Sequence, residues 1–393
     1  MQGEEGKSVL SVLRKDRQKN KIPNWELAAN FYKQTYKISA DLSAPETVFQ
    51  VLRTADPELK EIQQAAQRPS QQTNFSYGAD GNFVIDIAAL SDLLSVAQYL
   101  YLRSSVEAEL GQGDEAFKHL LLIFRLADAA NADPLILSFL MRAAILKVAT
   151  NTIANGISLS AWNAKQLEQI KNLLNDISLP QDYANALRGE RAYGGSIIDS
   201  GVKQGNIYKA LQTTIDDEKT DTSSKQNINL KIYSFVYKTV FLNKGKTRYF
   251  QLIQQLIDDA ESPSFSSKSS FKLTSGTKIS PFDPFDLTLT TITSSKKQVI
   301  QYENSLRQAR IALELERYKL ANTAYPESLS DLNQKLPEDI YSEKAMLYER
   351  LSPAEYKLWS IGPDEINQHG KIPLDCKTQQ GDIIWTSNRK AQF

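Results

Sequence analysis

The chain has 393 residues, enough for two or three domains of ordinary size. Its 46 Lys and Arg residues balance 46 Asp and Glu residues, so no net field favours nucleic acid or an anionic membrane surface. One cysteine, Cys376, excludes an internal disulfide and a thiolate cluster for zinc, and two histidines leave little for histidine-based chemistry.

Residues 1–24 form a polar N-terminal segment, with a short apolar patch at Val9 to Leu13 and a basic run from Arg14 to Lys21. No apolar run approaches the roughly 20 residues of a membrane span, and no signal-peptide core is present. Membrane association is therefore expected only through an anchor absent from this chain. From Trp25 the spacing of Leu27, Ala28, Phe31, Tyr32 and Tyr36 is helical, and a helical domain is expected over residues 25–260. Pro45-Glu46 and Asp56-Pro57 both read as helix starts, the second helix running to Ala66 before Pro69. Residues 70–82 are rich in turn formers and end in Gly78-Ala79-Asp80-Gly81.

A strong helix is expected from Ile85 to Leu110, broken by Gly111-Gln112-Gly113-Asp114, with the next over Glu115 to Ala130. That break is how tetratricopeptide-type hairpins turn, although no regular repeat is present; the expected architecture is mainly α, a helical bundle or solenoid-like array. Leu135 to Ile153 is apolar on most faces and is expected at the centre of the bundle. Ser160 is the expected cap of a helix over Ala161 to Asn175, and Leu179-Pro180 separates it from another over Tyr183 to Asp199. Within that helix Arg188, Glu190 and Arg191 read as an ion-paired packing cluster, with an acid–base site as the alternative. His119, with no acid or cysteine at ligand spacing, reads as a helix-surface or core histidine, and Cys376 as a passive loop thiol.

Ile215 to Gln226 reads as an exposed polar loop, Asn229 to Leu242 as a helix ended by Asn243-Lys244-Gly245, and Thr247 to Ala260 as the last helix of the domain. Residues 261–295 are a linker, with the spaced aromatics of Pro281-Phe282-Asp283-Pro284-Phe285-Asp286 draped over the bundle or gripping a partner. Residues 296–393 then form a small α+β module. Its helix begins at Ser294-Ser295-Lys296, with Leu287 to Thr293 either extended or its lead-in, and from Val299 carries Tyr302, Leu306, Ala309, Leu313 and Leu320 on one stripe with Glu316 interrupting it; Ile311, Leu315 and Tyr318 form a second line, so the helix is expected between two neighbours. Tyr325-Pro326 ends it. A short helix at Glu327 to Leu332, a Leu336-Pro337-Glu338-Asp339 turn, and strands at Ala345 to Tyr348, Tyr356 to Ile361 and Asp382 to Trp385 follow.

The order "ALELERYKLANTAYPESLSDL", "LPEDIYSEKAMLYER", "YKLWSIGPDE" and "GDIIW" resembles the globular region of the major pseudopilin of type II secretion. That resemblance implies a small antiparallel sheet and a Gly-x-Asp loop that binds calcium. The matching positions are Asp364 and Asp382, with Asp375 as an additional candidate ligand; the alternative is that these acids cap turns. The helix is internal and polar at Ser294-Ser295-Lys296, so filament assembly is not expected. The segments "LAANFYKQTYKIS" and "LKEIQQAAQRPS" and Leu187 to Ala192 extend a resemblance to a group of bacterial envelope proteins with an N-terminal anchor, a helical domain and the same tail. Those proteins bring no activity with them; they imply an envelope location, periplasmic or extracellular.

Walker, Gly-rich dinucleotide, Gly-x-Ser-x-Gly and His-Glu-x-x-His motifs are all missing. The expected function is a non-enzymatic, envelope-associated scaffold that binds protein partners, with no cofactor or at most a structural calcium ion. The alternative is a carboxylate-dependent glycoside or ester hydrolase with its site between helical domain and tail.

Overall fold

The computed structural model describes residues 44–68, 76–77, 83–84, 87–203, 242–268, 284–371, 373–375 and 378–388. The expected helices at Trp25 to Tyr36 and over 229–241, the loop at Ile215 to Gln226, Gly78 to Gly81, and Cys376 lie outside the described residues. Within them the protein is mainly helical, with a small three-stranded antiparallel sheet near the C-terminus.

The helices are α1 (Pro45–Leu52), α2 (Asp56–Ala66), α3 (Ile87–Glu109), α4 (Gly113–Ala130), α5 (Ile136–Ser158), α6 (Ala164–Asn175), α7 (Leu179–Lys203), α8 (Leu242–Ala260) and α9 (Pro284–Asn322). A two-residue antiparallel pair, β1 (Ser76–Tyr77) and β2 (Phe83–Val84), lies between α2 and α3. As its apolar composition predicts, α5 is the centre: Ile145, Ala149 and Ile153 are fully buried, and α3, α4, α7 and α9 all pack on it. Against the expectation that no apolar run approaches a membrane span, α5 is long and apolar enough to cross a membrane by length and composition, but most of that surface is covered by these neighbours.

The α3–α4 hairpin turns at Gly111, whose φ of +75° is open to glycine and strained for other residues. The Gln112 N–H reaches back to the Glu107 carbonyl at 2.8 Å, closing the helix end. Inside the hairpin, His119 is buried with its Nε2 3.0 Å from Glu107 Oε2. Glu107 also accepts from Arg103 Nε at 2.7 Å, and Arg103 reaches Asp56 at 3.0 Å. The acid that sequence spacing did not offer His119 comes from the preceding helix, across the turn.

In the next turn Trp162 inserts beside α5 and donates to the Ile153 carbonyl at 3.2 Å, occupying the space a Cβ on Gly156 would need. This insertion moves the start of α6 beyond the expected Ser160 cap. Asn163 is the cap instead, in a reciprocal pair with Gln166 at 3.0 and 2.9 Å. Pro180 does not separate two elements; it sits in the first turn of α7, where its missing N–H costs no helix bond.

The helix α9 has 39 residues and starts at Pro284, inside the expected 261–295 linker and ten residues before the expected start at Ser294. The Thr-rich stretch before Ser295 is a weak helix former, and tertiary packing overrides it. Ile292 is buried and its carbonyl accepts from the Tyr183 hydroxyl at 3.2 Å, while Ser295 donates to the same Tyr183 hydroxyl at 3.1 Å. Burial pushes the Tyr183 hydroxyl up to about 12.

The tail sheet runs β3 (Leu347–Ser352), β4 (Glu355–Ser360) and β5 (Ile383–Thr386), with β4 central and both pairs antiparallel. Alternation places Tyr356 and Leu358 of β4 in the core, and α9 covers that strand. The short helix expected at Glu327 to Leu332 is a 3₁₀ turn over Leu329–Leu332. One apolar core runs from Leu59 through α5 and α9 to Trp385, with a smaller cluster of Val48, Leu52, Leu102 and Val106 beside it.

Candidate functional site

Two places gather the polar groups that sequence or geometry singles out: the tail loop over residues 362–382 and the joint where α9 meets both the helical body and the tail.

The tail is built on Asp339, which is 1 % exposed. Its carboxylate accepts from the Tyr341 N–H at 3.0 Å and the Ser360 hydroxyl at 2.7 Å on Oδ1. On Oδ2 it accepts from the Ser342 hydroxyl at 3.0 Å and the Ile361 N–H at 3.2 Å. The acid of the Leu-Pro-x-Asp turn thus fastens that turn to the end of β4. Above it, Asp364 and Asp382 are brought together across the loop. Asp364 accepts from the Gly381 and Ile366 N–H groups at 2.8 and 3.1 Å and from Gln368 Nε2 at 2.8 Å. Desolvation opposes its ionisation, but these hydrogen bonds outweigh it and hold the Asp364 carboxyl below its ordinary value. Asp382 is fully buried and accepts from the Gly370 and Gln368 N–H groups at 2.7 and 3.3 Å. Burial, with the nearby Asp364 charge adding to it, raises the Asp382 carboxyl despite those donors.

Calcium takes six to eight oxygen ligands. Here each of the four carboxylate oxygens of Asp364 and Asp382 accepts at least one N–H hydrogen bond. Asp375 is not in the same ring of donors: its backbone pairs with Gln380 and its carboxylate accepts from the Thr378 hydroxyl at 3.0 Å. Among the described residues no group of three or more acids, histidines or cysteines is placed to share an ion. In this arrangement the carboxylates of all three aspartates accept hydrogen bonds within the tail loop.

The second place is a cleft of about 310 Å³ between the start of α7, the end of α8 and the middle of α9. Glu303, Arg307 and Arg310 project from one face of α9, four and three residues apart, and line it together. Glu303 is 5 % exposed; its Oε1 receives Arg307 Nε at 3.0 Å and lies 3.5 Å from Arg310 Nη1. Arg310 also donates to the Leu174 and Ile177 carbonyls at 2.8 and 2.7 Å, closing the C-terminal end of α6. Arg307 donates to the Glu338 carbonyl at 3.1 Å, in the tail turn next to Asp339. One acid and two arginines therefore tie body, long helix and tail together. The i, i+4, i+7 spacing was readable in the sequence, but the carbonyls it meets were not.

Glu190 is not held between its neighbouring arginines. It accepts from the Ile136 N–H at 3.0 Å, satisfying the first turn of α5, and burial raises its carboxyl. Arg188 turns to Glu261 at 2.7 Å, and Arg191 bonds Gln254 on α8. Gly189 lies against Pro134, whose carbonyl oxygen is 1.5 Å from where a Cβ would stand. The "LRGERA" segment is a helix-packing device joining α5, α7 and α8. Glu316, which interrupts the apolar stripe of α9, is buried and accepts from the Tyr325 hydroxyl, locking the Tyr-Pro turn back onto the helix. Lys319 Nζ sits 4.7 Å over the Tyr325 ring centre.

No protein-family model, curated protein or solved structure matches this chain.

Proposed function

We propose that the protein is a non-enzymatic, envelope-associated scaffold that presents its C-terminal α+β module to a protein partner. One observation carries this reading: α9 packs on α5, α6 and α7 of the helical body and also on β4 of the tail, within one continuous core. A module joined to its support through a shared helix keeps a fixed orientation, which suits a presenting scaffold rather than a tethered, freely swinging domain. The finer readings belong to the same proposal: tetratricopeptide-like hairpins in the body, a pseudopilin-like tail, and an envelope location, with no role in nucleic-acid binding. The hydrolase alternative has one buried acid at the joint, Glu303. Both arginines engage that acid, and the other acid of the cleft, Glu261, is tied to Arg188. The scaffold reading is therefore preferred.

The test is membrane fractionation of cells producing the native full-length protein, followed by co-purification. Recovery in the envelope fraction with a defined secretion or surface-assembly protein supports the scaffold. Recovery in the soluble fraction without any partner overturns it.

A further inference from the structure

We propose that residues 262–268 form a releasable strap, which lifts from the tail's 339–343 turn while that turn and the helical body stay folded. The segment follows α8 and turns at Phe265, whose N–H donates to the Ser262 carbonyl at 3.0 Å. It then crosses to the tail before α9 begins. The Ser267 N–H donates to the Ile340 carbonyl at 3.1 Å, and the Ser266 hydroxyl donates to the Glu343 carboxylate. Lys268 Nζ reaches Glu365 at 3.9 Å. The tail is thus fastened to the body by this strap as well as by α9.

The two surfaces that the strap joins each hold together without it. On the tail side, the Asp339 N–H donates to the Lys344 carbonyl at 2.8 Å and the Glu343 N–H to the Asp339 carbonyl at 2.9 Å. The Asp339 carboxylate adds the Tyr341 N–H and the Ser342 hydroxyl. None of these bonds uses a strap atom. On the body side Phe265 is the anchor, buried in the main core with its ring centre 5.7 Å from Lys296 Nζ, itself paired with Asp259 at 2.7 Å. Beyond the anchor burial falls away: Ser266 is buried, Ser267 half-buried and Lys268 exposed. The Lys268–Glu365 pair is exposed on both sides, and such a pair contributes little. A pivot at Phe265 therefore breaks hydrogen bonds and leaves the strap's buried apolar side chain in place. Glu343 is exposed, so water takes over from Ser266 there. Each such bond is a small part of what holds a whole fold, which puts the lift among openings below global unfolding. Its use would be to uncover Ile340 and Tyr341 for a partner; that use rests on the scaffold reading, whereas the lift is measured without any partner.

The experiment is amide hydrogen exchange on the full chain, read residue by residue by NMR over urea concentrations below the unfolding transition. The Ser267 amide reports the strap, the Tyr341 amide the turn, and the amide of Ala149, fully buried in α5, the whole fold. The expected result is a Ser267 amide roughly a hundredfold or more less protected than that of Ala149, with exchange that urea does not accelerate. Ser266→Ala should speed Ser267 exchange about tenfold or more, the scale of one hydrogen bond to a carboxylate, and leave Tyr341 and Ala149 unchanged. The parent measurement decides the matter if the variant does not fold. Exchange of Ser267 at the Ala149 rate, with the same urea dependence, would mean that the strap leaves only when the fold does, and would overturn the proposal. So would Tyr341 exchanging together with Ser267, or a Ser267 rate unmoved by Ser266→Ala.

Discussion

Replacing Asp339 with alanine should release the tail's central clasp. The side chain is 1 % exposed and accepts four hydrogen bonds, two from backbone N–H groups of Tyr341 and Ile361 and two from the hydroxyls of Ser342 and Ser360. The two hydroxyls can rotate toward other acceptors, but the two N–H groups are fixed by the turn and by the end of β4. Leaving a buried donor unsatisfied costs about 1–3 kcal/mol, so the pair alone sets a loss of about 2–6 kcal/mol. That is a large share of the 5–15 kcal/mol that typically separates folded from unfolded states. Asp339→Asn keeps one acceptor oxygen and should lose about half as much. Urea denaturation measures the total, and amide hydrogen exchange at Tyr341 and Ile361 reports the site itself. A loss under about 1 kcal/mol for Asp339→Ala, with both amides still protected, would refute the reasoning.

Three further outcomes follow from the same structure. Glu316 is raised by burial, so between its unfolded and folded values the folded state keeps a proton the unfolded chain has released. Its contribution is therefore fully present below the unfolded value and is lost as pH rises through the folded one. Glu316→Gln, which keeps an acceptor for Tyr325, should be more stable than the parent at neutral pH and lose that advantage in acid; an equal difference at every pH contradicts this. Gly189→Ala drives a methyl into the Pro134 carbonyl and should cost about 1–3 kcal/mol by overpacking, measured by thermal melting against Gly195→Ala, where the nearest atom is a Phe250 ring carbon at 3.2 Å. The tail loop should melt at the same temperature with chelator or excess calcium, while Asp382→Ala melts lower in both. A calcium-dependent rise that vanishes in Asp364→Ala would contradict this and support the calcium reading.

Periodicity carried most of the helical architecture. The apolar run of α5 signalled its central place because a helix with no polar face has nowhere else to go. The two apolar lines of α9 signalled a helix between neighbours, and the sandwiching of α9 between body and sheet is their physical meaning. The start of α9 was hidden because Thr-rich propensity points one way and the tertiary bonds of Tyr183 point the other. The cap of α6 was misplaced because Trp162, not local propensity, sets where that helix begins. Site residues were less legible still. Glu316 looked like a defect in a stripe until Tyr325, nine residues on, supplied its partner. Asp339 stood out only as a turn residue, since its four donors come from two separate segments. The Glu303 cleft depends on carbonyls of Leu174, Ile177 and Glu338, which no side-chain pattern encodes.

The central claim is that the tail is the partner-binding face of a rigid scaffold. The most direct measurement places a photo-crosslinking residue in living cells at Leu351 or Ile366, exposed apolar positions of the tail, and at exposed Gln169 on the helical body. The scaffold account predicts one defined envelope protein captured from the tail positions and not from the body. Capture from the body alone, or from neither, would contradict it.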